Sequence, residues 1–283
     1  VFARRDAALL PAVGRCQVMG VVNVTPDSFS DGGRWLDADS AIRHGLALVE
    51  AGADVVDVGG ESTRPGAERV DAATELARVE PVVRALAAEG VVVSVDTMRA
   101  EVAERAIEAG ARVLNDVSGG LADPRIREVA AVSGVSYVVM HWRGHSAGML
   151  GEDLTRYADL VPDVVAELAA SVEAALAAGV RPEQVIVDPG IGFSKGGDQN
   201  WNVLRRLDAF ADLGYPLLVA TSRKRFLGDL LADDAGARPP LERDDATAAL
   251  SALVAAEGAW CVRVHDVGPS ADAVRVAERW RDG

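Results

Sequence analysis

Two lysines, two cysteines and four histidines are all that the 283 residues hold of those types. Each scarcity excludes something. Cys16 and Cys261 form no CxxC pair and no His-spaced metal set, so a disulfide framework or a structural zinc does not fit. Cys261 stands in the apolar run Trp260-Cys261-Val262 and reads as a small core residue. A reducing, cytoplasmic compartment is therefore expected. No apolar run reaches the ~18 residues of a membrane span. Residues 1–15 carry charge at Arg4, Arg5 and Asp6 and lack the apolar core of a signal peptide. Basic residues are outnumbered, 29 to 43, which gives a net charge of −14 and a pI of about 4.7. A basic face for nucleic acid or an anionic membrane is thus not expected. A small anionic substrate is still possible, because a local cluster can reverse the field inside a cleft.

The chain does contain a repeating pattern. Short β-branched runs recur at Val18–Val22, Val55–Val58, Val91–Val95, Arg112–Leu114, Tyr137–Met140, Val185–Val187, Leu217–Val219 and Cys261–Val264. Continuous apolar runs of this kind suit parallel strands covered on both faces. Between them lie Ala-, Leu-, Glu- and Arg-rich segments, among them Ala41–Ala51, Ala72–Ala88, Ala100–Ala109 and Leu160–Ala178. Gly52, Gly90, Gly110 and Gly179 stand where such helices should end. Eight βα repeats predict a single (β/α)8 barrel, of which about 250 residues is the usual size. A doubly wound open sheet is the alternative, but GxGxxG is absent after the first strand, where Asn23-Val24-Thr25-Pro26-Asp27 stands instead. Residues 1–283 read as one domain, with 1–15 an N-terminal extension to which no role is assigned. Ala232–Arg243 reads as a loop within repeat seven.

In a barrel of this type, chemistry gathers at the C-terminal ends of the strands. Asp96, Asn115 and Asp188 end strands three, four and six, and together they would face one pocket suited to a flat, amide-like heterocycle. Asp116 and Asp123 read as turn or cap residues, and His141 as structural. Both lysines, Lys195 and Lys224, follow strand ends; Lys195, in a Gly-rich loop, is expected to be solvated. Ser222 is a good N-cap for a helix opening near Phe226, and the cations Arg223, Lys224 and Arg225 beside it oppose the helix dipole. At least one of them should therefore serve a ligand. Arg263 and His265 alternate along strand eight and suit a phosphate site.

Met19-Gly20-Val21-Val22-Asn23-Val24-Thr25-Pro26-Asp27-Ser28-Phe29-Ser30-Asp31-Gly32-Gly33 resembles the first signature of the dihydropteroate synthases, and Asp57-Val58-Gly59-Gly60-Glu61-Ser62-Thr63-Arg64-Pro65-Gly66 the second. Asn115-Asp116-Val117-Ser118-Gly119-Gly120, Asp188-Pro189-Gly190-Ile191-Gly192-Phe193 and Ser222-Arg223-Lys224-Arg225-Phe226-Leu227-Gly228 continue the resemblance, which runs from about Cys16 to the end and looks actinobacterial. Ser194 stands where many members have glycine. The resemblance implies a pterin held by Asp96, Asn115, Met140, Asp188, Phe193, Lys224 and Arg263. It implies a diphosphate at Asn23, Arg263 and His265, with Mg²⁺ at Asn23. It implies p-aminobenzoate near Thr63, Arg64, Pro65, Phe193, Ser222 and Lys224. Asp96, Asp188, Lys224, Arg263, His265 and Asp31 would then be the catalytic set.

The implied reaction joins a dihydropterin diphosphate to p-aminobenzoate and releases pyrophosphate. Sulfonamides would mimic the second substrate, and a homodimer through helices on the far side of the barrel is implied. The loops at Thr63–Pro65 and Asp27–Gly33 are rich in Gly, Ser, Asp and Pro, so p-aminobenzoate is expected to bind well only after diphosphate is present. Two alternatives remain at this point. A pterin-binding methyltransferase would share the barrel but has no diphosphate to hold. A non-catalytic paralogue would keep the barrel with damaged motifs.

Overall fold

A computed structural model describes residues 1–25, 36–61, 69–145 and 151–281. The strands are β1 (Gln17–Asn23), β2 (Val55–Gly59), β3 (Val93–Asp96), β4 (Val113–Asp116), β5 (Ser136–Met140), β6 (Val185–Asp188), β7 (Leu218–Val219) and β8 (Cys261–Val264). The helices between them are α1 (Leu36–Glu50), α2 (Ala72–Ala88), α3 (Ala100–Glu108), α4 (Arg125–Ser133), α5 (Glu152–Thr155) and α6 (Leu160–Ala177). They continue as α7 (Gly197–Leu204), α8 (Leu207–Ala211), α9 (Arg225–Leu230), α10 (Asp244–Glu257) and α11 (Val267–Arg281). All ladders are parallel, in the order β6-β5-β4-β3-β2-β1-β8-β7. A parallel bridge between Val187 and Leu217 joins the two ends, and Val187 N–H donates to Pro216 O at 2.9 Å. The expected (β/α)8 barrel is the fold.

Local chemistry explains the element boundaries. Asp71 caps α2 by accepting from Thr74 N–H at 2.8 Å. Gly110, just past α3, has φ +117°, and a Cβ there would stand 2.6 Å from the Cβ of Ala87. Only glycine combines that φ with that contact.

The strands have two kinds of face. Val56, Val58, Val93, Val95, Leu114 and Val139 point outward into the layer under the helices. Met19, Val55, Val113, Val138, Ile186, Leu218 and Cys261 point inward and form one apolar cluster with Trp260. Ala7 and Leu10 belong to that cluster. Residues 1–15, to which the sequence assigns no role, therefore close the N-terminal end of the barrel. Gln17 Nε2 donates to Pro11 O at 2.8 Å, and Phe2 N–H to Glu257 O at 2.8 Å.

Two residues further along each strand the side chain points inward again. There the layer changes character: Val55 is followed by Asp57, Val113 by Asn115, Ile186 by Asp188 and Cys261 by Arg263. An apolar floor thus carries a polar layer above it, at the C-terminal mouth.

Candidate active site

The polar layer lies beneath a cavity of about 600 Å³. Asn115, Met140, Asp188 and Arg263 form its inner wall, and Asn23 and His265 stand at the ends of β1 and β8. Phe193, Ser222 and Lys224 come in from the loops after β6 and β7. Asp96 lies in the layer itself and reaches the cavity through Arg263. The structure therefore brings together every expected site residue that it describes. Asp31, Thr63, Arg64 and Pro65, with the two loops that carry them, lie outside the described residues.

The centre of the layer is a salt-bridge network. Arg263 Nε donates to Asp57 Oδ2 at 2.6 Å, and its Nη2 to Asp96 Oδ2 at 2.8 Å. Asn115 Nδ2 donates to the same Asp57 oxygen at 3.1 Å. Register sets the neighbours: Asp96 pairs with Gly59 on one side and Asn115 on the other. Asp57 is completely buried, and its Oδ1 has no hydrogen-bond partner among the described residues. Reading the strand ends alone misses Asp57, because it lies inside the run Val55–Val58. The step of two between inward side chains is the signal that finds it.

Asp188 Oδ1 accepts from Gly190 N–H at 2.7 Å. Burial raises its pKa above the usual carboxylate range, and Lys224 pulls it back. Burial raises Asp96 as well, against the pull of Arg263. Both carboxylates are poorly solvated, so a ligand offering N–H groups would be favoured there. Lys224 donates to Ile191 O, its Nζ lies 4.8 Å from the centre of the Phe193 ring, and burial lowers its pKa to about 8.

Two expectations change. Ser222 does not cap a helix. The helix α9 begins at Arg225, with Lys224 in the cap position and no side-chain cap bond. Ser222 Oγ instead accepts the backbone N–H of His265 at 3.1 Å and lies 2.9 Å from His265 Nδ1. The hydroxyl and the imidazole share that second hydrogen bond, whose direction follows the ring tautomer. The reason lies at Arg223, which has φ +59°. Asp244 takes its guanidinium in two bonds of 2.7 Å, and Arg243 Nη1 holds its carbonyl at 2.8 Å. The chain thereby turns Ser222 and Lys224 to the cavity before the helix starts. Of the three cations, Lys224 faces the cavity, Arg223 is paired with Asp244, and Arg225 is exposed.

Lys195 is not solvated. It is 1% exposed, and its Nζ lies 2.9 Å from His141 Nδ1, 3.0 Å from Gly190 O and 3.1 Å from Phe193 O. The Gly-rich local sequence hides a burial that only the tertiary fold creates. His141 is structural, as expected: its Nε2 meets Glu167 Oε2 at 3.0 Å. Asp116 holds a turn, accepting from Ser118 N–H, Gly120 N–H and the Tyr137 hydroxyl. Asp123 accepts from Ala100 N–H and Arg125 N–H at helix starts.

Among the described residues no three of His, Cys, Asp and Glu converge on a metal-sized space. A cation here would rest on amide oxygen and substrate oxygens, which suits hard Mg²⁺. Asn23 at the rim of the cavity supplies such an oxygen.

Comparison with known proteins agrees with this geometry. The family described as "Pterin binding enzyme" matches residues 19–265. The dihydropteroate synthase of Mycobacterium leprae is 55% identical over 265 residues, 93% of each chain. The Yersinia pestis dihydropteroate synthase, solved with a sulfonamide drug, superposes with TM-score 0.88 at 39% identity, covering 96% of this chain and 97% of that one. The Xanthomonas albilineans dihydropteroate synthase, solved with 4-aminobenzoic acid, superposes with TM-score 0.86 at 40% identity, covering 95% and 94%.

Proposed function

The chain belongs to the pterin-binding enzymes, and within them to the dihydropteroate synthases, and from that premise we propose how its own residues carry the reaction. It is a transferase of folate biosynthesis that condenses 6-hydroxymethyl-7,8-dihydropterin diphosphate with p-aminobenzoate, giving 7,8-dihydropteroate and pyrophosphate. The single observation that carries the residue assignment is the polar layer of Asp57, Asp96, Asn115, Asp188 and Arg263 on an otherwise apolar barrel floor.

The pterin lies on that layer. Asn115 gives its Nδ2 to Asp57, so its carbonyl oxygen is left for a ring N–H. Asp188 and the second oxygen of Asp96 take the remaining N–H groups. Met140 and Phe193 flank the ring. Asp57 holds Arg263 from below, so Asp96 need not spend its whole charge on the guanidinium.

The bond that breaks joins the exocyclic methylene to the diphosphate. The electron-rich dihydropterin delocalises the resulting cation, and the carboxylates of Asp96 and Asp188 stabilise it. The leaving anion meets Arg263, whose Nη1 has no hydrogen bond among the described residues, and the imidazole of His265. Mg²⁺ at Asn23, when bound, supplies further charge to the leaving pyrophosphate. The aromatic amine of p-aminobenzoate is neutral at pH 7, so the attack needs position more than a strong base. Lys224, Phe193 and Ser222 form its side of the cavity, and Thr63, Arg64, Pro65 and Asp31 complete the set. Sulfonamides compete for this second position.

The protein acts in the cytoplasm as a homodimer. Two buried, unpaired cysteines support a reducing compartment. No helix among the described residues is long and apolar enough to cross a membrane.

The test is to incubate the protein with dihydropterin diphosphate, p-aminobenzoate and Mg²⁺ and to measure both products. One pyrophosphate per dihydropteroate is expected, with turnover abolished by excess EDTA. Full turnover in EDTA would remove the metal. Pyrophosphate without dihydropteroate would remove the condensation.

A further inference from the structure

We propose that Lys195 is a positioning residue for the transfer reaction: its ammonium, enclosed beneath the turn Gly190–Ser194, holds that turn in the shape that presents Phe193 and the Ile191 carbonyl to the cavity.

The turn is wound unusually. Gly190, Gly192 and Ser194 have φ of +68°, +78° and +51°. That alternation brings the carbonyls of Gly190 and Phe193 to one side, where Lys195 Nζ meets both, at 3.0 and 3.1 Å. His141 Nδ1 takes the third N–H at 2.9 Å. An ammonium has three donors, and here each has an acceptor. The opposite side of the same turn serves the cavity. Lys224 Nζ donates to Ile191 O and lies beside the Phe193 ring. The two lysines of the chain thus hold one turn from opposite sides.

The hold on the far side is anchored in the barrel wall. Burial lowers the His141 pKa to about 4, so the ring is neutral: its Nδ1 accepts from Lys195 and its Nε2 donates to Glu167. Glu167, on α6, is gripped by Arg143, which also stacks 3.8 Å from the centre of the Tyr157 ring. The Tyr157 hydroxyl donates back to Ser194 O at 2.8 Å. Burying an ammonium is costly, and it depresses the Lys195 pKa to about 7. A methionine of similar length would avoid that cost. It would also leave three acceptors unmet and the turn without its centre.

Lys195 Nζ spends its three donors on His141, Gly190 and Phe193 beneath the turn, so it acts through Phe193 and Lys224. This rests on the reading of the cavity as the pterin and p-aminobenzoate site. Displacing such groups by about an ångström costs roughly 100-fold in rate.

The experiment compares wild type, Lys195→Met and Lys195→Ala. Circular dichroism and thermal melts give the folded fraction at the assay temperature. Turnover and calorimetry with a pterin analogue then report on the folded protein. Lys195→Met should stay folded, lose roughly 100-fold in kcat/KM, and bind the analogue more weakly. In Lys195→Ala, n-propylammonium should recover at least about tenfold of the loss by refilling the ammonium position. Lys195→Met within twofold of wild type would overturn the proposal. So would a loss equal to the lost folded fraction, with KM unchanged and no recovery by the amine. A wild type that makes no dihydropteroate would refute the functional reading itself, a different outcome from either.

Discussion

Arg263 Nε stands 2.6 Å from Asp57 Oδ2, two strands apart in the barrel and fully out of bulk water on the carboxylate side. The pair joins β8 to β2 across β1, and it sets where the guanidinium can meet a leaving diphosphate. Asp57→Asn removes the charge and keeps the shape. Breaking a buried pair from one side should cost about 3 kcal/mol of stability. Urea unfolding measures it. The kcat/KM for the pterin diphosphate should fall more than stability alone explains. A variant as stable and active as wild type would mean that Asp96 alone positions Arg263.

Ser194 occupies the left-handed region at φ +51°, with a buried Oγ that has no partner among the described residues. Such a φ costs a non-glycine residue about 1 kcal/mol, and an unmet buried hydroxyl about 1 kcal/mol or more. Glycine gives back about 0.5–1 kcal/mol through the freer unfolded chain. Ser194→Gly should therefore stabilise the barrel by about 1 kcal/mol and raise Tm by about 2–4 °C. A melt checks this, and a lower Tm would show that the turn gains from the serine.

Glu167 is held down to about 2 by its bonds to Arg143 and His141, against an ordinary value of 4.5. Between pH 4.5 and 2 the unfolded chain therefore binds more protons at this position than the folded one, so stability falls as pH falls. The contribution is complete above pH 4.5 and lost through about 2. Wild type should be more stable than Glu167→Gln at neutral pH, and the difference should close across that acid window. Urea titrations at several pH values test it. A difference that is constant with pH would make the effect one of packing.

The barrel was legible in the sequence because both-face burial writes each strand as a continuous apolar run. Asp96, Asn115 and Asp188 were legible because they end such runs. Asp57 was not, since one inward carboxylate inside an apolar run looks like an interruption until the alternation is followed. The settings of Lys195 and Ser222 are hidden from the local sequence for a common reason. Their neighbours in sequence suggested a solvated loop and a helix cap, whereas their partners, His141 and His265, lie 54 and 43 residues away. Residues 1–15 carry no periodic pattern, so their packing of Ala7 and Leu10 against the barrel floor appears only in three dimensions.

The decisive position is Asp188, at the end of β6, which lines the cavity and has one oxygen held by Gly190 N–H. If the pterin rests on this carboxylate, Asp188→Ala removes a charged hydrogen bond worth about 2–3 kcal/mol, or roughly 30- to 150-fold in affinity. The measurement is calorimetric titration of a pterin analogue into wild type and Asp188→Ala, with circular dichroism confirming that both are folded. Wild type should bind one analogue per chain, and the variant should bind it at least about 30-fold more weakly. Equal affinity in the two proteins would place the pterin elsewhere and contradict the site.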